Sequence, residues 1–121
     1  MDQTENAYQP KPLEITTTVT DGVTVVSVSG EIDHNTADPL IQALEVDALA
    51  GRPQVVIDMR RVPFMDSSGI NVLLAAHRQL TEADGWLRLA GVHGSVQRVL
   101  QLVGLDTVIA CHANLRDALT A

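Results

Sequence analysis

The hydrophobic residues near the start of the chain alternate with polar ones. Apolar or β-branched side chains occupy every second position from Leu13 to Val19, which is the period of a half-buried β-strand. Asp21 and Gly22 form a turn pair, and the run 23–28, which is β-branched except at Ser27, follows them. A strand, an Asp-Gly turn and a second strand in this order predict a β-hairpin.

The spacing of apolar residues changes after the hairpin. From Ala37 to Ala48 they recur three or four positions apart, so this segment predicts an amphipathic helix. Asn35 or Thr36 is expected to cap the helix, and Pro39 is tolerated within its first turn. A glycine and a proline shortly after Ala48 end the segment.

The rest of the chain alternates between short apolar runs and helical spacing. The predicted elements are a buried central strand at Val55–Ile57, a helix from about Ser68 to Thr81, a strand at Trp86–Ala90, a helix across Val96–Val103, a short strand at Val108–Ile109 and a short helix at 114–121. Alternation of strands and helices is typical of an α/β fold with right-handed crossovers and a mostly parallel sheet.

The chain has 121 residues, which fits a single domain. Residues 1–12 are polar and are predicted to form a disordered tail, which leaves 13–121 as the folded domain. The tail has no basic segment followed by an apolar one, so no secretory signal is predicted and the cytoplasm is the expected location. With Cys111 as the single cysteine, no intrachain disulfide can form.

Charge narrows the range of partners. The formal net charge is −7, from 8 basic and 15 acidic side chains. Nucleic-acid-binding proteins cluster their basic residues, whereas this chain has one lysine, Lys11, and scattered arginines. Tyr8, Phe64 and Trp86 are its only aromatic residues and offer no platform for stacking bases. Nucleic acid and anionic membrane are therefore not expected as partners, and no apolar run is long enough to cross a bilayer.

The segment with candidate chemistry is Asp66-Ser67-Ser68-Gly69, just before the second predicted helix. These polar side chains lie where a helix needs acceptors for its free N–H groups, and helix capping alone would explain them. One hydroxyl suffices as a cap, and we assign that structural role to Ser68. Gly69 costs roughly 1 kcal/mol relative to alanine inside a helix, which points to a close approach by another backbone or a ligand.

The same segment resembles the signature of a known family. Phe64-Met65-Asp66-Ser67-Ser68-Gly69-Ile70 is similar to the motif of STAS-domain anti-sigma factor antagonists. Gly30-Glu31-Ile32-Asp33 with Thr36-Ala37, and Val96-Gln97-Arg98-Val99-Leu100 with Gly104-Leu105, resemble two further landmarks in the right order. The resemblance implies one STAS domain, with a mixed, mostly parallel sheet and helices largely on one face.

The resemblance also implies a phosphorylation switch. In this family the first serine after the aspartate, here Ser67, is phosphorylated by a partner that is both anti-sigma factor and serine kinase. The unmodified protein binds that partner and frees a sigma factor, and a metal-dependent serine phosphatase restores it. Partner binding is expected at Asp33, Asp66, Ser67, Ser68 and Gly69, and Ser67 is preferred over Ser68 as the phosphoacceptor. Asp33 is expected to contact the kinase or to orient the site, or to be only a solvated acidic residue of its loop. The chain would be a substrate rather than an enzyme, with no cofactor and no metal.

Other functions stay open at this point. A STAS subunit of a stress-signalling complex or of a lipid transporter has the same fold. A response-regulator receiver would place its phosphoacceptor near Asp58, but it needs an acidic pair after its first strand and a lysine after its last. A serine hydrolase would need the first glycine of Gly-x-Ser-x-Gly, which this motif lacks.

Overall fold

A computed structural model describes residues 12–45 and 53–121. The tail predicted over residues 1–12 lies almost wholly outside the described residues, as does the end of the first predicted helix around Ala48. Within the described ranges, the sequence of strands and helices follows the predicted order.

The described elements are five strands and four α-helices. The strands are β1 (Glu14–Thr20), β2 (Val23–Ser29), β3 (Gln54–Arg61), β4 (Trp86–Ala90) and β5 (Ala110–His112). The helices are α1 (Asp38–Ala43), α2 (Ser67–Glu82), α3 (Gly94–Leu102) and α4 (Leu115–Thr120), with a 3₁₀ helix at Leu105–Thr107.

The five strands form one sheet in the order β1-β2-β3-β4-β5. Only the β1–β2 pair is antiparallel, and the other three pairs are parallel. Asp21 and Gly22 both have positive φ, 51° and 81°, which is the geometry of a two-residue hairpin turn. The predicted hairpin, the central position of β3 and the mixed, mostly parallel sheet are thereby confirmed.

The helices divide unequally between the two faces of the sheet. Val55, Ile57 and Met59 of β3 belong to the larger core, which also contains apolar residues of α1, α2 and α3. Val56 alternates to the opposite face, where it packs with residues of α4 such as Ala118. The expectation that helices lie largely on one face is confirmed.

The predicted cap of α1 is wrong. The helix begins at Asp38 with Ala37 in the N-cap position, and no side chain caps it. The Thr36 hydroxyl is not available for capping because it donates to the carbonyl of Glu31 (2.7 Å) and accepts from the N–H of Asp33 (2.9 Å). Short polar side chains often bond nearby backbone in this way instead of capping a helix.

The last strand lies two residues later than predicted. Gly104 has φ 75° and ends the α3 segment, and the 3₁₀ helix follows it directly. The N–H of Ile109 still donates to the carbonyl of Leu105 (2.9 Å), so Val108 and Ile109 belong to this turn. Pairing with β4 therefore begins only at Ala110.

Candidate functional site

The loops after β2 and β3 lie side by side at one edge of the sheet. The N–H of Ile32 donates to the carbonyl of Phe64 (3.0 Å), and the N–H of Asp66 donates to the carbonyl of Ile32 (3.1 Å). Ile32 and Met65 therefore form an isolated parallel bridge beyond the ends of the strands. This bridge holds the 30–36 loop next to the start of α2, because the parallel strands β2 and β3 end at the same edge of the sheet.

Asp66, and neither serine, caps helix α2. Its carboxylate accepts a hydrogen bond from the backbone N–H of Ser68 (2.8 Å). The structural role assigned to the Ser68 hydroxyl is therefore wrong, because Ser68 contributes only its N–H to the cap. Asp66 performs the cap better than a hydroxyl, since its charge also interacts favourably with the positive end of the helix dipole.

Ser67 is the first residue of α2 and its side chain is exposed. Within residues 12–45 and 53–121, no hydrogen bond is formed by its hydroxyl. Ser68, next in the chain, is half-buried. Of the two candidate phosphoacceptors, Ser67 is thus the more accessible one.

Gly69 is buried where α2 rests on the joined loops. A Cβ at this position would lie 2.6 Å from the sulfur of Met65 and 3.1 Å from a methyl carbon of Ile32. The close approach inferred from this glycine exists, but it is made by two side chains of the domain rather than by a backbone or a ligand. Gly69 therefore allows α2 to start directly on top of the bridged loops.

Asp33 organises its own loop. One carboxylate oxygen accepts hydrogen bonds from the N–H groups of Asn35 (2.8 Å) and Thr36 (3.1 Å). The residue is half-buried, so part of the carboxylate still faces solvent. These bonds order the 33–36 loop, and a role of Asp33 in orienting the site or in contacting a kinase stays a prediction.

A groove of about 450 Å³ runs between α1 and α2 and reaches the site. Its lining includes Ala37, Leu44 and Val72, and Asp38 and Ser68 stand among its polar residues. The surface beside Ser67 on the α1 side is therefore concave and apolar, with an acidic residue at the groove.

Two side chains at the start of α3, neither of them indicated by the sequence patterns, attach this helix to the end of β3 and to the loop before Ser67. The Nε2 atom of His93 lies 2.8 Å from the carbonyl oxygen of Arg60. The hydroxyl of Ser95 donates to the carbonyl of Pro63 (3.1 Å). More than thirty residues separate the partners, so no local spacing could have indicated these contacts.

The residues important to the rival functions have other roles. Asp58 is buried, accepts from the N–H of Arg60 (3.1 Å) and forms an ion pair with the guanidinium of Arg60 (3.2 Å). In the described parts of the chain, no histidine nitrogen bonds the hydroxyl of Ser67 or Ser68. The same residues contain no group of three His, Cys, Asp or Glu side chains that could hold a metal ion.

Comparison with known proteins places this geometry in a family. The sequence matches the STAS domain over residues 14–118. It is 38% identical over 113 residues to the anti-sigma-F factor antagonist RsfB of Mycobacterium tuberculosis, a match that covers 90% of each chain.

Solved structures agree with the sequence match. A crystal structure of an anti-sigma factor antagonist from Mycobacterium paratuberculosis is similar with a TM-score of 0.79 and 37% identity, covering 89% of this chain and 92% of that one. The anti-sigma factor antagonist SpoIIAA in its unphosphorylated form is similar with a TM-score of 0.72 and 25% identity, covering 88% and 92% of the two chains. No helix among the described residues is long and apolar enough to cross a membrane. From the match over residues 14–118 and the identity to RsfB, this chain belongs to the STAS domain family and groups with its anti-sigma factor antagonists.

Proposed function

We propose that this protein is an anti-sigma factor antagonist that is switched by phosphorylation of Ser67. In the unmodified form it binds an anti-sigma factor and thereby frees a sigma factor. The same partner acts as a serine kinase: it transfers the γ-phosphoryl group of ATP to the Ser67 hydroxyl, with release of ADP and the hydroxyl proton. A metal-dependent serine phosphatase reverses the modification, and these proteins meet in the cytoplasm.

The exposed hydroxyl of Ser67, which bonds no atom of residues 12–45 and 53–121, is the observation that carries this proposal. A kinase needs a nucleophile that it can reach, and Ser67 stands at the first position of a helix with its side chain in solvent. Because Asp66 caps the helix, modification of Ser67 breaks no bond that holds the fold. The Ser67 hydroxyl can therefore be phosphorylated without loss of an interaction that stabilises the fold.

The start of α2 can accommodate a phosphate. A phosphoserine carries about −1.5 to −2 charges at neutral pH. The unpaired N–H groups and the dipole of a helix N-terminus favour negative charge. Phosphorylation should therefore leave the domain folded and act on the partner instead.

Phosphorylation should weaken the binding of the partner, although it leaves the fold intact, because other negative charges already lie at the same edge of the sheet as Ser67. Asp66 precedes it, and the bridge between Ile32 and Met65 brings Glu31 and Asp33 to the same edge of the sheet. A partner surface fitted to the neutral hydroxyl must desolvate the phosphate and tolerate the added charge. We therefore infer that phosphorylation blocks docking locally and refolds nothing.

The other residues predicted to bind the partner contribute in different ways under this proposal. Asp33 and Asp66 are half-buried, and their carboxylates bond backbone N–H groups of the 33–36 loop and of the start of α2. Ser68 lies between Ser67 and the groove, where a docked partner would reach it. Gly69 is buried, so it supports docking through the position of α2 rather than through exposed surface.

Phosphate mapping tests the proposal. The purified protein is incubated with ATP and with each anti-sigma factor kinase of the same organism, and the product is analysed by mass spectrometry. We expect one phosphoryl group on Ser67, incorporation abolished by Ser67→Ala and retained by the matched variant Ser68→Ala. If no kinase modifies this position and the unmodified protein binds no anti-sigma factor, the proposed function is wrong.

A further inference from the structure

Strand β1 forms an open edge of the sheet. It pairs with β2 on one side, and no strand of residues 12–45 and 53–121 pairs with its other side. Edge strands expose unpaired N–H and C=O groups, and proteins usually shield them with lysine, proline or a bulge. After Glu14, β1 contains no charged residue, no proline and no glycine, and its pairing with β2 is regular over all seven residues. The open side of β1 therefore has none of these shields.

The hairpin geometry shows which backbone groups of β1 face outward. Thr20 and Val23 flank the two-residue turn, and the residues that flank such a turn are hydrogen-bonded to each other. Hydrogen-bonded and non-hydrogen-bonded pairs alternate along an antiparallel ladder. The N–H and C=O groups of Ile15, Thr17 and Val19 are therefore directed to the open side, and those of the residues between them bond β2.

These three outward residues are complementary to a second copy of themselves. When two β1 strands pair antiparallel with Thr17 opposite Thr17, Ile15 of each copy lies opposite Val19 of the other. Every outward N–H and C=O group of the strand then has a partner. A shift of the register by two residues leaves one of the three residues in each copy without a partner in the other strand.

The side chains fit the same register. Ile15, Thr17 and Val19 share one face of β1, and this is the face of the larger core, against which Ile15 packs. In β2 that core begins at Val26, so Val19, which is opposite Thr24, lies beyond it and is 70% exposed. In the self-paired register the Ile15 side chain of the second copy covers Val19. Cross-strand pairs of β-branched side chains stabilise antiparallel strands.

We propose that two copies of this chain associate through their β1 strands, so that two five-stranded sheets join into one about a two-fold axis at Thr17. Glu14 of each copy then lies opposite Thr20 of the other, so no two like charges stand directly opposite. Ser67 follows β3, and β2 separates β3 from β1, so its hydroxyl stays exposed in the dimer. The inference goes beyond the proposed function and does not depend on it.

The dimer should be weak and should respond to salt. Two seven-residue strands form a small contact compared with the about 1,200–2,000 Å² of a stable interface. Each copy has a net charge of −7, so the two copies repel each other. Because salt screens this repulsion, dimerisation should strengthen as salt is added, whereas a complex held together by opposite charges would weaken.

Sedimentation equilibrium of the full chain tests the inference, at protein concentrations from about 10 μM to about 1 mM. We expect a monomer–dimer equilibrium that shifts toward dimer between about 50 and 500 mM salt. Thr17→Lys places two ammonium groups opposite each other and should weaken dimerisation about fivefold. Thr20→Lys is the matched control, with the same change of charge on the same strand. Its lysine lies opposite Glu14 of the other copy, so this variant should dimerise at least as tightly as the parent.

Amide hydrogen exchange locates the contact. The N–H groups of Ile15, Thr17 and Val19 should exchange more slowly at about 1 mM protein than at about 10 μM, because only the dimer bonds them. The N–H groups of Thr16 and Thr18 provide the comparison, since they bond β2 and should be protected at both concentrations.

Three results would overturn the inference. The first is a chain that sediments as a monomer at about 1 mM in both salts. The second is a dimer that Thr17→Lys and Thr20→Lys affect alike, because the contact would then lie on another surface. The third is equal protection of the three outward amides at both concentrations, because another part of the same chain would then cover the edge.

Discussion

Two helices begin at the same edge of the sheet, and each has a serine in its first turn. In α2 the carboxylate of Asp66 caps the helix, and the Ser67 hydroxyl is left in solvent. In α3 no side chain caps the helix, and the Ser95 hydroxyl is bonded to the carbonyl of Pro63. The Ser67 hydroxyl therefore stabilises no part of the described structure, whereas the Ser95 hydroxyl connects α3 to the loop before Ser67.

The glycines at the starts of the two helices also differ, in how closely other atoms pack around them. Gly69 is buried against Met65 and Ile32, whereas a Cβ at Gly94 would meet no atom within 4 Å. The α2 start is thus built tightly on its loops, with only the Ser67 side chain left outside. A site that must accept and lose a phosphate without refolding requires this combination of a rigid base and a free hydroxyl.

The largest effect should come from a permanent charge at the free serine. Ser67→Asp places a carboxylate where the partner expects a neutral hydroxyl, and like-charge juxtaposition at an interface costs several kcal/mol. We expect binding to the anti-sigma factor to weaken by roughly a hundredfold in calorimetry. Ser67→Ala is the neutral control and should bind as the unmodified protein does. Equal affinities for the two variants would show that charge at this position does not control docking.

The next effect concerns the buried glycine. Gly69→Ala forces a methyl group against Met65 and Ile32, and overpacking of this kind costs about 1–3 kcal/mol of unfolding free energy. Because the Met65 side chain is the main obstacle, the cost should disappear in a Met65→Ala background. Urea unfolding of the double-mutant cycle measures the coupling. Gly94→Ala provides the comparison: Met65→Ala should not change its cost, and a coupling as large as that of Gly69 would contradict the packing described above.

Local patterns predicted the parts of this molecule that depend on local interactions. The Asp21-Gly22 hairpin and the strand at Trp86–Ala90 were found because turn chemistry and strand periodicity act over a few residues. The same holds for the start of α2, which was predicted at about Ser68 and lies at Ser67, because the motif itself is continuous. The cap of α1 was missed because Thr36 bonds the preceding loop, a competing local bond that residue preferences do not reveal.

Contacts between distant segments were not predictable in this way. His93 and Ser95 reach Arg60 and Pro63 across 33 and 32 residues. Contacts of this kind form only when the chain has folded, so no pattern within a short segment indicates them.

Loss of the α2 cap should have a smaller effect than overpacking. Asp66→Ala removes the acceptor for the N–H of Ser68, and loss of an N-cap costs about 0.5–2 kcal/mol. Asp66→Asn retains an acceptor oxygen and should lose only the charge, so its thermal unfolding should lie close to that of the parent. If Asp66→Asn is as unstable as Asp66→Ala, the hydrogen bond is not what stabilises this helix start.

The smallest effect on stability should come from Ser95, whose hydroxyl is hydrogen-bonded to Pro63. Ser95→Ala breaks one exposed hydrogen bond, which contributes about 0.5–1.5 kcal/mol at most, and leaves the cap and the hydroxyl of α2 untouched. We expect faster amide hydrogen exchange in the loop 62–65 and an unchanged amount of phosphate on Ser67. If Ser95→Ala instead abolishes labelling as Ser67→Ala does, the kinase requires the α3 start as much as the α2 start. The two serines would then act as one site, because the contact with Pro63 would be needed to present the Ser67 hydroxyl.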